Sequence, residues 1–171
     1  VFELMGQPIP EGYPPATSRP FVITHRPTDG GYSSITVCSY ELLAGATDGM
    51  NSEGLSVALL ATADLLRGGG IVPLGRNGVG VQEIHLVRFL LEHCPTAARA
   101  RSLLRETKQY FMSVPCHFII GDRSGDAFVW SSRPNCDEPL IIDIDPGRPL
   151  AITNHLPGEY DGVDPDVHAE S

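Results

Sequence analysis

The chain has 171 residues, of which 42% are hydrophobic and 19% are charged, and its net charge is −9. With 12 basic side chains against 21 acidic ones, it lacks the basic surface that nucleic-acid-binding proteins use to displace counterions. No apolar run reaches the roughly 20 residues of a membrane span. We therefore expect one domain over residues 1–171, with a hydrophobic core of its own and no nucleic-acid or membrane partner.

The spacing of cysteines and histidines favours neither a disulfide framework nor a metal site. No cysteine belongs to a CxxC pair, and the six histidines are scattered. The N-terminus also lacks the basic and apolar regions of a signal peptide. We therefore expect reduced thiols, no metal, no cofactor and a cytoplasmic location. The four cysteines are Cys38, Cys94, Cys116 and Cys136.

The chain begins with an irregular segment, which is followed by strands. Residues 1–20 are rich in proline and glycine and lack periodicity. From Phe21 onward, β-branched residues predict two strands that are joined by a hairpin turn at Asp29-Gly30-Gly31.

The next segment predicts a buried strand and then a long loop. Asp48-Gly49 is expected to form a turn, and Gly54 a second break in the chain. The apolar run that ends at Ala61 is typical of a strand buried on both faces. Residues 63–80 contain many glycines and predict a long loop of the kind that often carries function.

Two helices follow, and then more strands. An apolar stripe predicts a helix over Val81–Cys94 that ends at Pro95. Thr96 is a candidate N-cap for a second helix over residues 97–107. Four short β-rich segments then lie between Cys116 and His155. Residues 157–171 are acidic and aperiodic, and an irregular tail is expected there.

This order of elements predicts the fold class. Runs of strands on either side of a helix pair indicate an α+β fold, in which an antiparallel sheet carries helices on one face.

The sequence offers few obvious catalytic groups. It has no GxSxG nucleophile motif, and Ser124 lies in a predicted turn. Asn51 and Asn154 lie next to predicted apolar strands. An asparagine amide at such a place donates to an oxyanion in some enzymes and caps its own turn in other proteins, and both interpretations stay open.

Four segments, in this order, resemble the choloylglycine hydrolase and penicillin V acylase family of linear-amide C–N hydrolases and the related penicillin acyltransferases. They extend over roughly residues 34–156. The segments are DGMNSEGLSVALL, LVRFLLEHCPTAARARSLL, CHFIIGDRSGDAFVWS and AITNH.

The resemblance implies an N-terminal nucleophile hydrolase with an αββα sandwich of two antiparallel sheets between helix layers. It assigns the Asn154 side chain and the Ala61 backbone N–H as the two oxyanion donors, and Asn51 a supporting role. The nucleophile of the family is a cysteine that precedes the region of resemblance, and no cysteine precedes Cys38 here. We therefore expect an incomplete, internal portion of a larger enzyme, without activity on its own.

The implied reaction is hydrolysis of a linear amide, or transfer of its acyl group, on a small molecule such as an N-acyl amino acid, a bile-salt conjugate or a penicillin-like side chain. Residues 63–80 would form part of the acyl pocket. Two alternatives stay open: a non-catalytic binding module with the same fold, and a hydrolase that uses Cys38 or Cys116. Whether the protein forms a homo-oligomer also stays open.

Overall fold

The computed structural model describes residues 21–38, 45–62, 80–110, 115–133, 136–145 and 151–154. Seven strands form one antiparallel sheet in the order β1-β2-β3-β4-β7-β8-β9, and β5 and β6 form a separate parallel pair. The strands are β1 (Phe21–His25), β2 (Ser34–Cys38), β3 (Asp48–Asn51), β4 (Ser56–Ala61), β5 (Gly80–Gln82), β6 (Lys108–Tyr110), β7 (Cys116–Gly121), β8 (Ala127–Arg133) and β9 (Cys136–Asp143). The helices are α1 (Glu83–His93) and α2 (Ala97–Glu106).

The predicted hairpin at the start of the chain is confirmed, but the expected turn at Asp48-Gly49 is wrong. These two residues belong to β3, which pairs with β2 and β4. A Cβ atom on Gly49 would lie 2.6 Å from Cδ1 of Leu91 on α1. Glycine at this position therefore lets α1 pack closely on the sheet, and a close approach of this kind is a known reason for glycine inside a strand. The turn lies later, around Gly54, whose φ is +89°.

The two helices are confirmed, with shifted boundaries. The helix expected from Val81 begins at Glu83, because residues 80–82 pair in parallel with Lys108–Tyr110. Thr96 is the N-cap of α2, as predicted, and its side chain accepts a hydrogen bond from the Arg99 N–H at 3.2 Å.

Asp122 joins the β7–β8 hairpin to the start of α2. Its Oδ2 accepts the Ala97 N–H at 2.8 Å, and its Oδ1 accepts both the N–H and the hydroxyl of Ser124. The Ser124 hydroxyl, and after it the Ala97 N–H, hold the pKa of this carboxyl below its usual value. Ser124 is thus the turn residue that the sequence predicts.

The two faces of the large sheet differ. On the helix side, Val57, Phe118 and Trp130 are buried in one core with leucines of α1. On the opposite face, Val22 and Met50 are 66% and 50% exposed. The prediction that β4 is buried on both faces is wrong, because only Val57 of its six residues is buried.

Three cysteines are buried and take part in no disulfide: Cys38, Cys94 and Cys116. The side chain of Cys136 lies outside the described part, so the prediction of no disulfide stands only for the other three. Among the described helices, none has both the length and the apolar character to cross a membrane. The predicted entry segment, residues 1–20, and the predicted tail, residues 157–171, lie outside the described residues.

Candidate active site

At the end of β4, the backbone N–H and carbonyl of Ala61 point away from β7, toward the β3 side of the strand. The Leu59 N–H donates to the Thr47 carbonyl at 2.8 Å, toward β3, whereas the Thr62 N–H donates to the Pro115 carbonyl at 2.7 Å, toward β7. Backbone groups alternate along a strand, so those of Ala61 point to the β3 side. The pairing of β3 with β4 starts at Asp48 and Ala58, and Ala61 lies beyond it.

Asn154 lies next to Ala61 at this end of β4. Its Nδ2 donates to the Ala61 carbonyl at 2.6 Å, across 93 residues of sequence, and the side chain is exposed. Residues 151–154 are not a strand, so the strand expected there is corrected to an irregular segment. The structure thus brings together the two residues that the resemblance pairs. The contact that it shows is to the carbonyl of Ala61, and the oxyanion role of both residues stays a prediction.

Asn51 lies elsewhere. It is the last residue of β3, next to the turn that leads into β4, whereas Ala61 is the last residue of β4. The five residue-to-residue steps from Ser56 to Ala61 place these two ends about 16 Å apart. Asn51 therefore does not join the Ala61–Asn154 pair.

The Asn51 side chain is buried and fully hydrogen-bonded. Its Nδ2 donates to the carbonyls of Leu91 and Cys94, at 2.9 and 2.7 Å. Its Oδ1 accepts the N–H groups of Glu53 and Leu55, at 3.1 and 2.9 Å. Two donors and two acceptor sites are the whole capacity of an asparagine side chain. Asn51 thus satisfies carbonyls at the C-terminal end of α1 and fixes the β3–β4 turn.

The two internal cysteines are unsuited to act as nucleophiles. Cys38 is buried, and its thiol donates to the Gly45 carbonyl at 2.6 Å. Burial, together with the negative charge of Glu83, raises the pKa of Cys116 far above the usual range of a thiol. A nucleophilic cysteine needs the opposite, a lowered pKa and an accessible sulfur. The burial of both sulfurs therefore argues against an internal cysteine nucleophile.

Sequence reasoning missed a buried polar pair beside this edge. His117 on β7 and Ser131 on β8 are both fully buried, and His117 Nδ1 lies 2.6 Å from Ser131 Oγ. In register, His117 is opposite Leu60, the residue before Ala61. The signal was available as a histidine inside an apolar strand, CHFIIG.

The structure describes no group of three or more His, Cys, Asp or Glu side chains that could hold a metal ion within its resolved ranges. The loop predicted to line an acyl pocket, residues 63–80, lies outside the described residues except for Gly80, which belongs to β5.

The family described as acyl-coenzyme A:6-aminopenicillanic acid acyl-transferase matches residues 11–171. The chain belongs to this family. The match confirms the resemblance on which the site prediction rests. Among curated proteins, none matches this member of the acyl-transferase family at the sequence level.

Two solved structures are similar to this chain to different degrees. A variant of the conjugated bile acid hydrolase from Clostridium perfringens is 14% identical, with a TM-score of 0.53 over 67% of this chain and 36% of that one. Penicillin V acylase from Agrobacterium tumefaciens is 19% identical, with a TM-score of 0.49 over 66% of this chain and 33% of that one. At such identities the similarity to the bile acid hydrolase establishes the fold alone. The α+β class is confirmed, and the chain spans about a third of the length of these structures.

Proposed function

We propose that this chain is an internal portion of an acyltransferase or linear-amide hydrolase whose nucleophile is an N-terminal cysteine outside the chain. Membership of the acyl-transferase family over residues 11–171 supports this assignment. The short span relative to the similar structures supports the view that further residues complete the enzyme. The substrate is a small linear amide: an N-acyl amino acid, a bile-salt conjugate or a penicillin-like side chain.

The contact between Asn154 and Ala61 is the observation that carries the proposal. An asparagine amide has two N–H donors, and one of them is bound to the Ala61 carbonyl at 2.6 Å. The Ala61 N–H points to the same side of β4 as that carbonyl. We propose that the second N–H of Asn154 and the N–H of Ala61 face one space, where a carbonyl oxygen that becomes negative would gain two hydrogen bonds.

The chemistry is the one that the family resemblance implies. The cysteine sulfur adds to the amide carbonyl carbon, its proton goes to the cysteine's own α-amine, and the carbonyl oxygen becomes the oxyanion. Collapse breaks the C–N bond, the leaving amine takes the proton, and an acyl-enzyme remains. Water or a second amine then accepts the acyl group, and the thiol is restored.

The part of the large sheet that β1–β3 form has an open face, which is consistent with an incomplete sandwich. Val22, Ile35 and Met50 lie on it and are substantially exposed, although they are apolar. An αββα sandwich covers such a face with a second sheet, and we propose that other parts of the longer protein supply this sheet. The net charge of −9 supports a small-molecule partner over nucleic acid. A cytoplasmic location and the oligomeric state stay predictions.

The test is amide turnover by the full-length protein, measured as amine release from a penicillin, a conjugated bile salt and an N-acyl amino acid. Asn154→Ala is expected to lower kcat by about 10²–10³, the usual cost of one oxyanion donor. Asn154→Asp keeps the size and removes both donors, so it should lose at least as much. Ser102→Ala removes one exposed hydrogen bond, to Glu106 on α2, and should keep the wild-type rate.

Two results would contradict the proposal. Asn154→Ala with unchanged kcat would remove the oxyanion role. A full-length protein that binds these amides but never turns them over would favour the binding-module alternative. The 171-residue chain alone is expected to show no turnover, and activity in it would refute the assignment of the nucleophile to another part of the protein.

A further inference from the structure

His117 and Ser131 form a buried polar pair on the face of the sheet opposite the helices. Cys116, Phe118 and Ile120 alternate with His117 along β7 and face the core beneath the helices. His117 therefore points to the other face, as Ser131 does from its register position on β8. Both residues are 0% exposed, and Nδ1 lies 2.6 Å from Oγ.

The residues around the pair are apolar, so the burial of apolar surface does not explain why two polar residues lie there. On the same face, Leu60 is opposite His117, and Ile119 is opposite Val129 two register steps away. Burying two polar groups costs desolvation that their mutual hydrogen bond offsets only in part, and two apolar residues of similar shape are often as stable. A fully bonded polar pair adds a fixed geometry instead.

The His117–Ser131 pair lies beside the end of β4 that carries Ala61. In register, Leu60 is opposite His117 and Ala61 is opposite Cys116. One step further, both the N–H and the hydroxyl of Thr62 donate to the Pro115 carbonyl, at 2.7 and 2.8 Å. Side-chain hydrogen bonds thus hold β4, β7 and β8 together on both sides of the register pair that contains Ala61.

We propose that His117 and Ser131 are positioning residues, which hold the β4–β7 end so that the Ala61 N–H stays aimed at the developing oxyanion. This inference rests on the proposed function. Neither side chain needs to touch the substrate, because the pair acts through the backbone of β7 and its ladder to β4. Small displacements of such a donor have large effects on rate and small effects on substrate binding.

The test compares variants of the full-length enzyme in the amide-turnover assay. His117→Leu should lower kcat by about 10-fold or more and change KM by less than about 2-fold. His117→Asn places an amide nitrogen near the position of Nδ1, so it should recover most of the rate. Ser131→Ala should also lower kcat, and the loss in the double variant should be smaller than the product of the two single losses, because the two residues share one hydrogen bond.

The chain offers a matched control at the other side of the sheet. His25 Nε2 lies 2.9 Å from Thr36 Oγ1, again a histidine–hydroxyl pair across two strands, but on β1 and β2. His25→Leu should lower the melting temperature and leave kcat within about 2-fold, since misplacement is costly only at the reacting groups.

The outcomes separate the two proposals. A lowered melting temperature with wild-type kcat in both His117→Leu and Ser131→Ala would give the pair a structural role and overturn the inference. If Asn154→Ala alone loses kcat, the proposed function stands without the positioning role. Absence of turnover by the wild-type full-length protein would overturn both. Should His117→Leu fail to fold, Ser131→Ala, which removes a single oxygen, decides the question.

Discussion

Asn51 and Asn154 are the same residue type, and each follows an apolar or strand-forming segment, yet the structure uses them in opposite ways. Asn51 is 5% exposed and makes four side-chain hydrogen bonds, all to backbone groups. Asn154 is exposed and, among the described residues, makes one, to the Ala61 carbonyl. A saturated, buried amide can only hold the fold together, whereas an exposed amide with spare donors can bind a ligand.

The difference shows that a motif position alone does not reveal a role. Both asparagines belong to segments that resemble the same enzyme family. Only their surroundings show that Asn51 connects α1 to the β3–β4 turn, whereas Asn154 is a candidate oxyanion donor.

The two asparagines should differ clearly in their contribution to the free energy of unfolding. Asn51→Ala leaves the Leu91 and Cys94 carbonyls without their side-chain donor in a buried place, so the free energy of unfolding should fall by about 2–4 kcal/mol. Asn154→Ala should change it by less than about 0.5 kcal/mol, because the side chain is exposed. Urea unfolding of the full-length protein measures both.

Ser34 provides the control for Asn51. It is the register partner of Asn51 on β2, it is buried, and within the described residues its hydroxyl has no hydrogen-bond partner. Ser34→Ala should therefore be neutral or stabilise by up to about 1 kcal/mol. Equal losses of unfolding free energy in Ser34→Ala and Asn51→Ala would mean that the hydrogen bonds of Asn51 contribute nothing specific to stability.

The close contact of α1 with β3 should be intolerant of one added methyl group. A Cβ on residue 49 would lie 2.6 Å from Leu91 Cδ1 and 2.8 Å from the Ile35 carbonyl oxygen, and the latter is backbone and cannot turn away. Gly49→Ala should cost about 1–3 kcal/mol of unfolding free energy, the usual cost of overpacking.

Gly121→Ala makes the same change on β7, where the nearest atom is Ala127 Cβ at 3.3 Å. This control should cost less than Gly49→Ala in the same urea titration. The reverse order would show that the helix does not lie as close to β3 as described.

Acid should weaken the β1–β2 side of the sheet through His25. Burial, and then the charge of Arg88, lower the pKa of His25 in the folded state, although Glu92 opposes them. The unfolded chain then binds the proton more readily, so this contribution to stability is complete above about pH 6.5 and is lost as the pH falls below it.

Urea midpoints at pH 7.5 and pH 5 measure the effect. His25→Gln should have a smaller fall between the two pH values than the wild type. His93→Gln, at an exposed histidine near the end of α1, is the control and should keep the wild-type fall. An unchanged pH dependence in His25→Gln would contradict this account.

Much of the fold could be predicted from the sequence, because strong local patterns specify it. The apolar stripe of α1, the Thr96 cap of α2 and the strands around the Asp29-Gly30-Gly31 turn all follow from short-range preferences. The parallel pair β5–β6 was missed because three residues show no period. Asp48-Gly49 was misread as a turn because the reason for its glycine is Leu91, a partner distant in sequence.

The candidate site was less predictable for the same reason. Asn154 and Ala61 meet across 93 residues, so only the family resemblance connected them. The role of Asn51 at the end of α1 depends on carbonyls 40 and 43 residues away. The histidine in CHFIIG was visible in the sequence, but its partner Ser131 is defined only by the register of β7 with β8.

NMR of the full-length protein tests directly whether the Ala61 N–H and the Asn154 side-chain amide bind one oxyanion. An aldehyde analogue of the amide substrate adds to the cysteine thiol, and its oxygen then occupies the position of the oxyanion. We expect the amide proton of Ala61 and one side-chain proton of Asn154 to move downfield together on binding, while the side-chain protons of Asn51 do not move. A bound aldehyde that shifts neither proton, or only one of the two, would contradict this expectation.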